Sequence, residues 1–185
     1  MANFKTNSQI PIEKFAIAIN SRLKKSIVIK KAEEVDERFH SRLNCKRKTY
    51  RYIINNSPYG TAIYRYLETH IPQKLNVEKM KKAVKYFIGE HDFKAFKASG
   101  TSSKSSVRTI YDAKVYQNGD KIYIELTGNG FLYNMVRIIA GTLVEVGLEK
   151  IEPEKIEEII KEGKRENAGK TLPPNGLYLV DVKYE

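Results

Sequence analysis

The sequence predicts an α+β domain, in which a mainly antiparallel mixed sheet carries helices packed on one face. Residues 107–116 and 121–127 are predicted as strands on either side of the turn sequence Gln117-Asn118-Gly119-Asp120. Asn-Gly between alternating strands is the strongest short-range signal for a β-hairpin. Residues 131–146 are mostly apolar and predict a long helix. Strands and helices in this order, with an antiparallel hairpin among them, favour the α+β class.

Five further runs are predicted as strands, because they are short and are either β-branched and aromatic or alternate in polarity. They are residues 2–5, 27–31, 48–55, 63–67 and 177–183. The turn cluster Asn56-Ser57-Pro58-Tyr59-Gly60 separates the third run from the fourth. Residues 36–42 are polar and without period, and they predict a loop.

Three further helices are predicted from apolar residues at steps of three and four. The first begins at Pro11 and extends to Leu23, and the second runs from an N-cap at Asn76 to Gly89. The third, residues 153–162, is more polar and ends at Gly163.

Positive charge dominates the composition. The 185 residues include 33 Lys and Arg against 22 Asp and Glu, so the formal net charge is +11. Such a surplus favours a polyanionic partner, most often nucleic acid, although a solvated surface without a partner gives the same composition. The one cysteine, Cys45, excludes an internal disulfide and a cysteine-based zinc site. Without a membrane-length apolar run or a signal-peptide pattern, a cytoplasmic protein is expected.

Two stretches, residues 38–51 and 94–108, contain Lys and Arg but no acidic residue. Their cations are Arg38, Arg42, Lys46, Arg47, Lys48 and Arg51, and Lys94, Lys97, Lys104 and Arg108. Tyr50, in the first stretch, and Tyr52, directly after it, leave the same face of a strand. Cations interleaved with aromatic rings suit unstacked RNA bases, whereas two core tyrosines beneath a charged loop explain the same spacing equally well.

Arg137 is the second feature that points to chemistry. It follows the strand-to-helix turn of Gly128 and Gly130 and lies on an otherwise apolar helix. A guanidinium in that position either reaches the helix edge or pairs with a carboxylate or phosphate. The neighbouring sequence offers no obvious anionic partner.

Several segments, taken in order, resemble the tRNA pseudouridine synthase A family from about Ala2 to Tyr184. The matching text is Phe39-His40-Ser41-Arg42, Lys48-Thr49-Tyr50-Arg51-Tyr52, Gly89-Glu90-His91-Asp92-Phe93, Gly130-Phe131-Leu132-Tyr133-Asn134-Met135-Val136-Arg137 and Gly176-Leu177-Tyr178-Leu179-Val180. Five ordered motifs make a far more specific match than one short pattern.

The resemblance implies an RNA isomerase that converts uridine to pseudouridine in the tRNA anticodon stem-loop (tRNA positions 38–40), as a cytoplasmic homodimer without cofactor or metal. The reaction needs a carboxylate, a group that helps to remove the C5 proton, and a base drawn out of its stack. By resemblance Tyr50 contacts the base, Arg137 pairs with the catalytic aspartate, and Leu177 lines the pocket. The residues expected to hold RNA are Arg42, Lys46, Arg47, Lys48, Arg51, Tyr52, Lys97, Lys104 and Arg108.

The sequence departs from the family in one respect. The Gly-Arg-Thr-Asp-x-Gly-Val-His motif with the nucleophilic aspartate, and the Glu-Tyr-Asp-Gly strand with its following helix, do not occur in it. We therefore expect an N-terminally truncated chain that is inactive alone, with residues 1–35 as the remnant of one half-domain and residues 36–185 as the C-terminal half-domain. The alternatives are a non-catalytic RNA-binding remnant or partner subunit, and complementation by a second polypeptide that supplies the strand and the aspartate.

Overall fold

A computed structural model describes residues 1–100 and 105–184 of the chain. The chain divides into two units, Met1–Asn44 and Cys45–Glu185. No helix in the described ranges is both long enough and apolar enough to cross a membrane.

The first unit contains a single α-helix in its fully described 44 residues, α1 (Ile12–Asn20). It begins directly after Pro11, as predicted, but ends at Asn20, earlier than predicted. The Asn20 side chain then bonds both backbone groups of Ile29, each at 2.8 Å. The strands predicted at residues 2–5 and 27–31 do not form, because no described residue supplies the ladder of hydrogen bonds that a strand needs.

The second unit is built on a six-stranded sheet, and the α+β prediction is confirmed. Its strands are β1 (Arg47–Asn55), β2 (Thr69–His70), β3 (Gly89–Asp92), β4 (Val107–Asn118), β5 (Lys121–Gly128) and β6 (Leu177–Lys183). The spatial order is β2-β1-β5-β4-β3, with β6 also paired to β1. The β1–β2 pair is parallel and the other pairs are antiparallel, so the sheet is mixed.

Three helices accompany this sheet: α2 (Val77–Ala83), α3 (Met135–Gly147) and α4 (Lys155–Glu162). Residues 84–87 continue α2 as a 3-10 turn. Along β5 burial alternates strictly, so Ile122, Ile124 and Leu126 lie in the core while the residues between them face the other side. Eleven of the 13 residues of α3 are buried, which makes this helix the centre of the core.

Two β-bulges flank the middle of the sheet. In the β4–β5 pair, Ile110 faces Gly128 and Asp112 faces Thr127, which leaves Tyr111 as the extra residue. In the β1–β6 pair, the register shifts between Thr49 and Tyr50, with Val180 as the extra residue. Bulges bend a strand and turn side chains, and they are common beside functional sites.

Three local predictions need correction. Residues 63–67 form turns rather than a strand. The strand β3 was not predicted, because its sequence is polar. It lies at the edge of the sheet and pairs only with β4. The helix predicted from residue 131 begins at Met135, since Asn134 adopts the left-handed conformation with φ 59°.

Candidate functional site

Tyr50 occupies the middle of β1, where it faces Leu126 of β5 and Leu179 of β6. Its ring is half-buried and meets the edge of Phe131, with centroids 5.1 Å apart at 82°. Burial, followed by the effect of the nearby Cys45, raises the pKa of Tyr50 above its ordinary value of 10.0. The phenol is therefore neutral at physiological pH and offers both a ring face and a hydrogen-bonding group.

Tyr52 is buried completely, in contrast to Tyr50. Its hydroxyl lies 2.5 Å from Thr69 Oγ1 and donates to the Pro173 carbonyl at 2.6 Å. Burial raises the pKa of Tyr52 to about 12, against smaller opposing effects of the Thr69 hydrogen bond and the Arg137 charge. A buried ring cannot stack on a base, so the core alternative applies to Tyr52, and its prediction as an RNA contact is corrected.

Arg137 lies in the first turn of α3, nearer the helix start than the sequence suggested. Its Nε donates to the Leu172 carbonyl at 2.6 Å, and its Nη1 donates to Asn134 Oδ1 at 2.8 Å. Among the described residues no carboxylate lies within ion-pairing distance of the guanidinium. Two neutral acceptors thus fix its orientation while its charge stays uncompensated.

Leu177 is the first residue of β6 and lies opposite Tyr52 in the register. It packs against the core and also lines a cleft of about 340 Å³. Just before it, Gly176 lies against β1, because an added Cβ would come within 2.5 Å of the Ile53 carbonyl oxygen and within 3.0 Å of the Tyr52 ring. The segment from Leu172 to Leu177 therefore joins Arg137, Tyr52 and the cleft, and it lies beside the strand that carries Tyr50.

The cations predicted to bind RNA differ in their surroundings. Lys46 and Arg47 are exposed at the start of β1, where the Arg47 guanidinium lies 4.9 Å from the Tyr111 ring centroid, and Lys48 is half-buried. Arg108 donates to the carbonyls of Ser105 and Val107. Of the remaining predicted cations, Arg42 is exposed in the first unit, Lys97 is half-buried, and Lys104 lies outside the described residues.

Arg51 points away from Tyr50, because neighbouring residues of a strand face opposite sides. Its Nε donates to Glu125 Oε1 at 2.6 Å, and Tyr116 donates to the same oxygen at 2.8 Å. Burial alone would raise the pKa of Glu125, but the hydrogen bonds from Tyr116 and Arg51 outweigh it and lower the pKa. Arg51 therefore lies on the face of the sheet opposite Tyr50 and is paired with Glu125, and its contact with RNA stays a prediction.

Sequence reasoning missed several groups that build this site. Asn134 and Phe131 belong to the motif around Arg137. The sequence did not show that Asn134 accepts a hydrogen bond from the guanidinium or that Phe131 contacts the Tyr50 ring. The carbonyls of Leu172 and Pro173 had no sequence signal, since any residue type supplies a carbonyl. Among the described residues, no three His, Cys, Asp or Glu side chains are grouped as ligands for a metal ion.

Comparison with known proteins gives consistent matches. A family model described as tRNA pseudouridine synthase matches residues 83–185. A protein named tRNA pseudouridine synthase A from Ruminiclostridium cellulolyticum is 53% identical over 185 residues, covering 100% of this chain and 76% of the relative. Proteins of the same name from Acetivibrio thermocellus and Thermoanaerobacter sp. are 50% and 51% identical over 184 residues, covering 100% of this chain and 75% of each relative. With half of its residues identical along its whole length, this chain belongs to the tRNA pseudouridine synthase A family.

Proposed function

We propose that this chain acts in the isomerisation of uridine to pseudouridine in the tRNA anticodon stem-loop. The observation that carries the proposal is the Arg137 guanidinium, which two neutral acceptors fix with its charge uncompensated. An arginine so placed is prepared to pair with a carboxylate at a reacting centre. The names of the relatives, which match over the full length of the chain, support the same reaction.

In this proposal the half-buried ring of Tyr50 contacts the flipped uracil, and Leu177 forms an apolar wall of the pocket. The reaction breaks the bond between N1 and the ribose C1′ and forms a bond between C5 and C1′. The C5 proton passes to a base and N1 gains a proton, so the product is an isomer of uridine. A carboxylate beside Arg137 attacks or stabilises the reacting sugar or base. A further segment supplies this carboxylate, and that segment belongs either to the same polypeptide or to a second one.

The exposed cations at the start of β1, Lys46 and Arg47, contact tRNA phosphates in this proposal, together with Lys48, Arg42, Lys97, Lys104 and Arg108. Phosphate contacts position an RNA and make its binding depend on salt. By its resemblance to the family, we also propose that the protein is a cytoplasmic homodimer.

The test compares the purified chain with a fusion to the segment of the Acetivibrio thermocellus relative that this chain does not match. Each protein is incubated with an anticodon stem-loop RNA, and pseudouridine is mapped by carbodiimide labelling and primer extension. We expect salt-sensitive binding by both proteins and turnover by the fusion. In the fusion, Tyr50→Ala and Arg137→Ala should abolish turnover, whereas Tyr59→Ala, which changes an exposed residue, should leave it intact. Unchanged turnover in both site variants would contradict the proposed pocket.

A second candidate is RNA binding without catalysis. It is favoured by the absence of a carboxylate beside Arg137 among the described residues. The same experiment separates the two functions, because a binding protein would bind the stem-loop and form no pseudouridine even as the fusion.

A further inference from the structure

The turns between β1 and β2 expose an unusual amount of apolar surface. Five large side chains in residues 59–67 are extensively exposed: Tyr59 85%, Ile63 82%, Tyr64 45%, Tyr66 70% and Leu67 49%. Contiguous exposed apolar side chains mark binding surfaces more often than single ones do.

Hydrogen bonds fix the backbone of these turns. The Asn175 side-chain amide donates to the Arg65 carbonyl at 2.9 Å, and the Tyr178 hydroxyl donates to the Leu67 carbonyl at 2.5 Å. The amide of Leu67 also donates to the Tyr64 carbonyl at 2.8 Å. The exposed side chains therefore stand on an ordered backbone, which lowers the entropy cost of binding a ligand.

The turns form one wall of the cleft of about 340 Å³ that Leu177 lines, and β6 with the residues before it forms the other wall. The cleft is lined by Tyr66, Leu67, Pro174, Asn175, Leu177 and Tyr178. This volume falls in the ~300–1,000 Å³ range of small-molecule pockets. Because Leu177 is shared, the cleft adjoins the proposed uridine site.

One cation lies beside the cleft, against the ring of the lining residue Tyr66, and has no acidic partner among the described residues. The Arg65 guanidinium lies 4.4 Å from the centroid of the Tyr66 ring, donates from Nη1 to the Ala62 carbonyl at 2.7 Å, and forms no ion pair with a described residue. Lys121 lies 4.2 Å from the Tyr64 ring centroid, but Glu68 neutralises it at 2.9 Å. Of these two cations, Arg65 is the one whose charge no described carboxylate neutralises.

We propose that this cleft binds a second unstacked nucleotide of the tRNA, adjacent to the uridine at Leu177. Its base stacks on the face of Tyr66 that Arg65 leaves open, and its phosphate meets the Arg65 guanidinium. Asn175 Oδ1, which accepts no hydrogen bond from the described residues, accepts one from a base N–H. Aromatic faces beside cations are the recurring means of binding single-stranded nucleic acid. The inference rests on the proposed function for the identity of the polymer as tRNA.

The test measures binding of a fluorescently labelled anticodon stem-loop to the purified chain at several salt concentrations. Tyr66→Ala and Tyr66→Leu should weaken binding by roughly 5- to 100-fold, because both remove the stacking face. Tyr66→Phe keeps the ring and should stay within about twofold of the unchanged chain. Arg65→Gln should weaken binding and reduce the slope of log affinity against log salt by about 0.7.

Two controls make the result specific. Tyr59→Ala removes an exposed ring of the same turns that does not line the cleft, and its binding should be unchanged. Thermal melts should show that Tyr66→Ala folds normally, since that side chain is 70% exposed.

The outcomes separate this inference from the proposed function. If the unchanged chain binds the stem-loop and Tyr66→Ala binds equally well, the second subsite is refuted and the proposed function stands. If Tyr66→Leu binds the stem-loop as tightly as Tyr66→Phe, any apolar side chain serves at this position. Stacking of a base on the Tyr66 ring is then refuted. If the unchanged chain does not bind the RNA at all, the proposed function itself fails.

Discussion

Two hydrogen bonds link Arg137 and Leu172. The Arg137 Nε donates to the Leu172 carbonyl at 2.6 Å, and the Leu172 amide donates back to the Arg137 carbonyl at 3.3 Å. The side chain and the backbone of one residue are thus tied to the same partner. The segment before β6 is fixed to α3 at the place where the site is built.

Arg137→Lys keeps the charge but removes the planar fork, so one ammonium cannot serve both Leu172 and Asn134 in the same geometry. We expect a loss of about 1–3 kcal/mol in the free energy of unfolding. Urea titration followed by circular dichroism measures it. Arg47→Lys at the exposed start of β1 is the control and should change stability by less than about 0.5 kcal/mol. Equal stability of both variants would show that the side-chain hydrogen bonds of Arg137 contribute little to the stability of the fold.

Tyr52→Phe removes a buried hydroxyl that bonds Thr69 and Pro173. At pH 8 the variant should be less stable by about 1–2 kcal/mol. The folded pKa of Tyr52, about 12, exceeds the ordinary value of 10.0, so the unfolded chain loses its proton first as pH rises. The advantage of tyrosine is therefore complete below pH 10 and declines as pH rises from 10 towards 12. Urea midpoints of both proteins at pH 8 and pH 11 test this; a constant difference would contradict it.

Glu68→Gln tests the opposite end of the pH range. Glu68 is buried and accepts hydrogen bonds from Asn55, Thr61 and Lys121. Burial raises the pKa of Glu68, but these three partners outweigh burial and hold the pKa below its usual 4.5. The carboxylate therefore stabilises the fold above pH 4.5, and this stabilisation is lost as pH falls through the folded pKa.

The variant should accordingly be about 1–3 kcal/mol less stable at pH 7, with the difference shrinking below pH 4.5. Thermal melts at pH 7 and at pH 3.5 provide the comparison. Glu157→Gln changes an exposed carboxylate of α4 and should differ little from the unchanged chain at pH 7. A difference that persists in full at pH 3.5 would count against the assignment.

Gly141→Ala should destabilise the protein although alanine favours helices. The added Cβ would lie 1.9 Å from the Lys170 carbonyl oxygen, so backbone must move. We expect a loss of about 1–3 kcal/mol or more from overpacking, against a gain of ~1 kcal/mol in helix propensity. Gly119→Ala is the matched control, because that site has open space and its cost of ~1–2 kcal/mol comes only from φ +57°. Denaturant midpoints rank the variants; a neutral Gly141→Ala would mean that the segment at Lys170 can move away from α3 at little cost.

The sequence predicted those parts of the fold that depend on neighbouring residues. The hairpin around Gly119 formed because Asn-Gly is suited to a tight turn and both strands are adjacent along the chain. The strands predicted at residues 27–31 and 63–67 do not form for the opposite reason. A β-branched or aromatic segment becomes a strand only where a distant segment pairs with it. Edge strand β3 was missed because polar residues at an edge carry no alternation.

The site was predictable as a set of residues and not as an arrangement. The sequence suggested that Arg137 needs an anionic partner. In the structure its Nε donates instead to the neutral carbonyl of Leu172, 35 residues further along the chain. Tyr50 and Tyr52 share a face, as predicted, but their burial depends on which segments cover each ring. Thr69, Pro173 and Gly176 cover Tyr52, and none of them is near it in the sequence.

Strand β1 is bonded along its length to β5 on one side and to β6 and β2 on the other. Insertion or deletion of one residue in its middle would turn every side chain beyond that point to the opposite face. Tyr52 would then leave the core, and Arg51 with its charge would enter it. Length changes in residues 47–55 should therefore be far less tolerated than substitutions there.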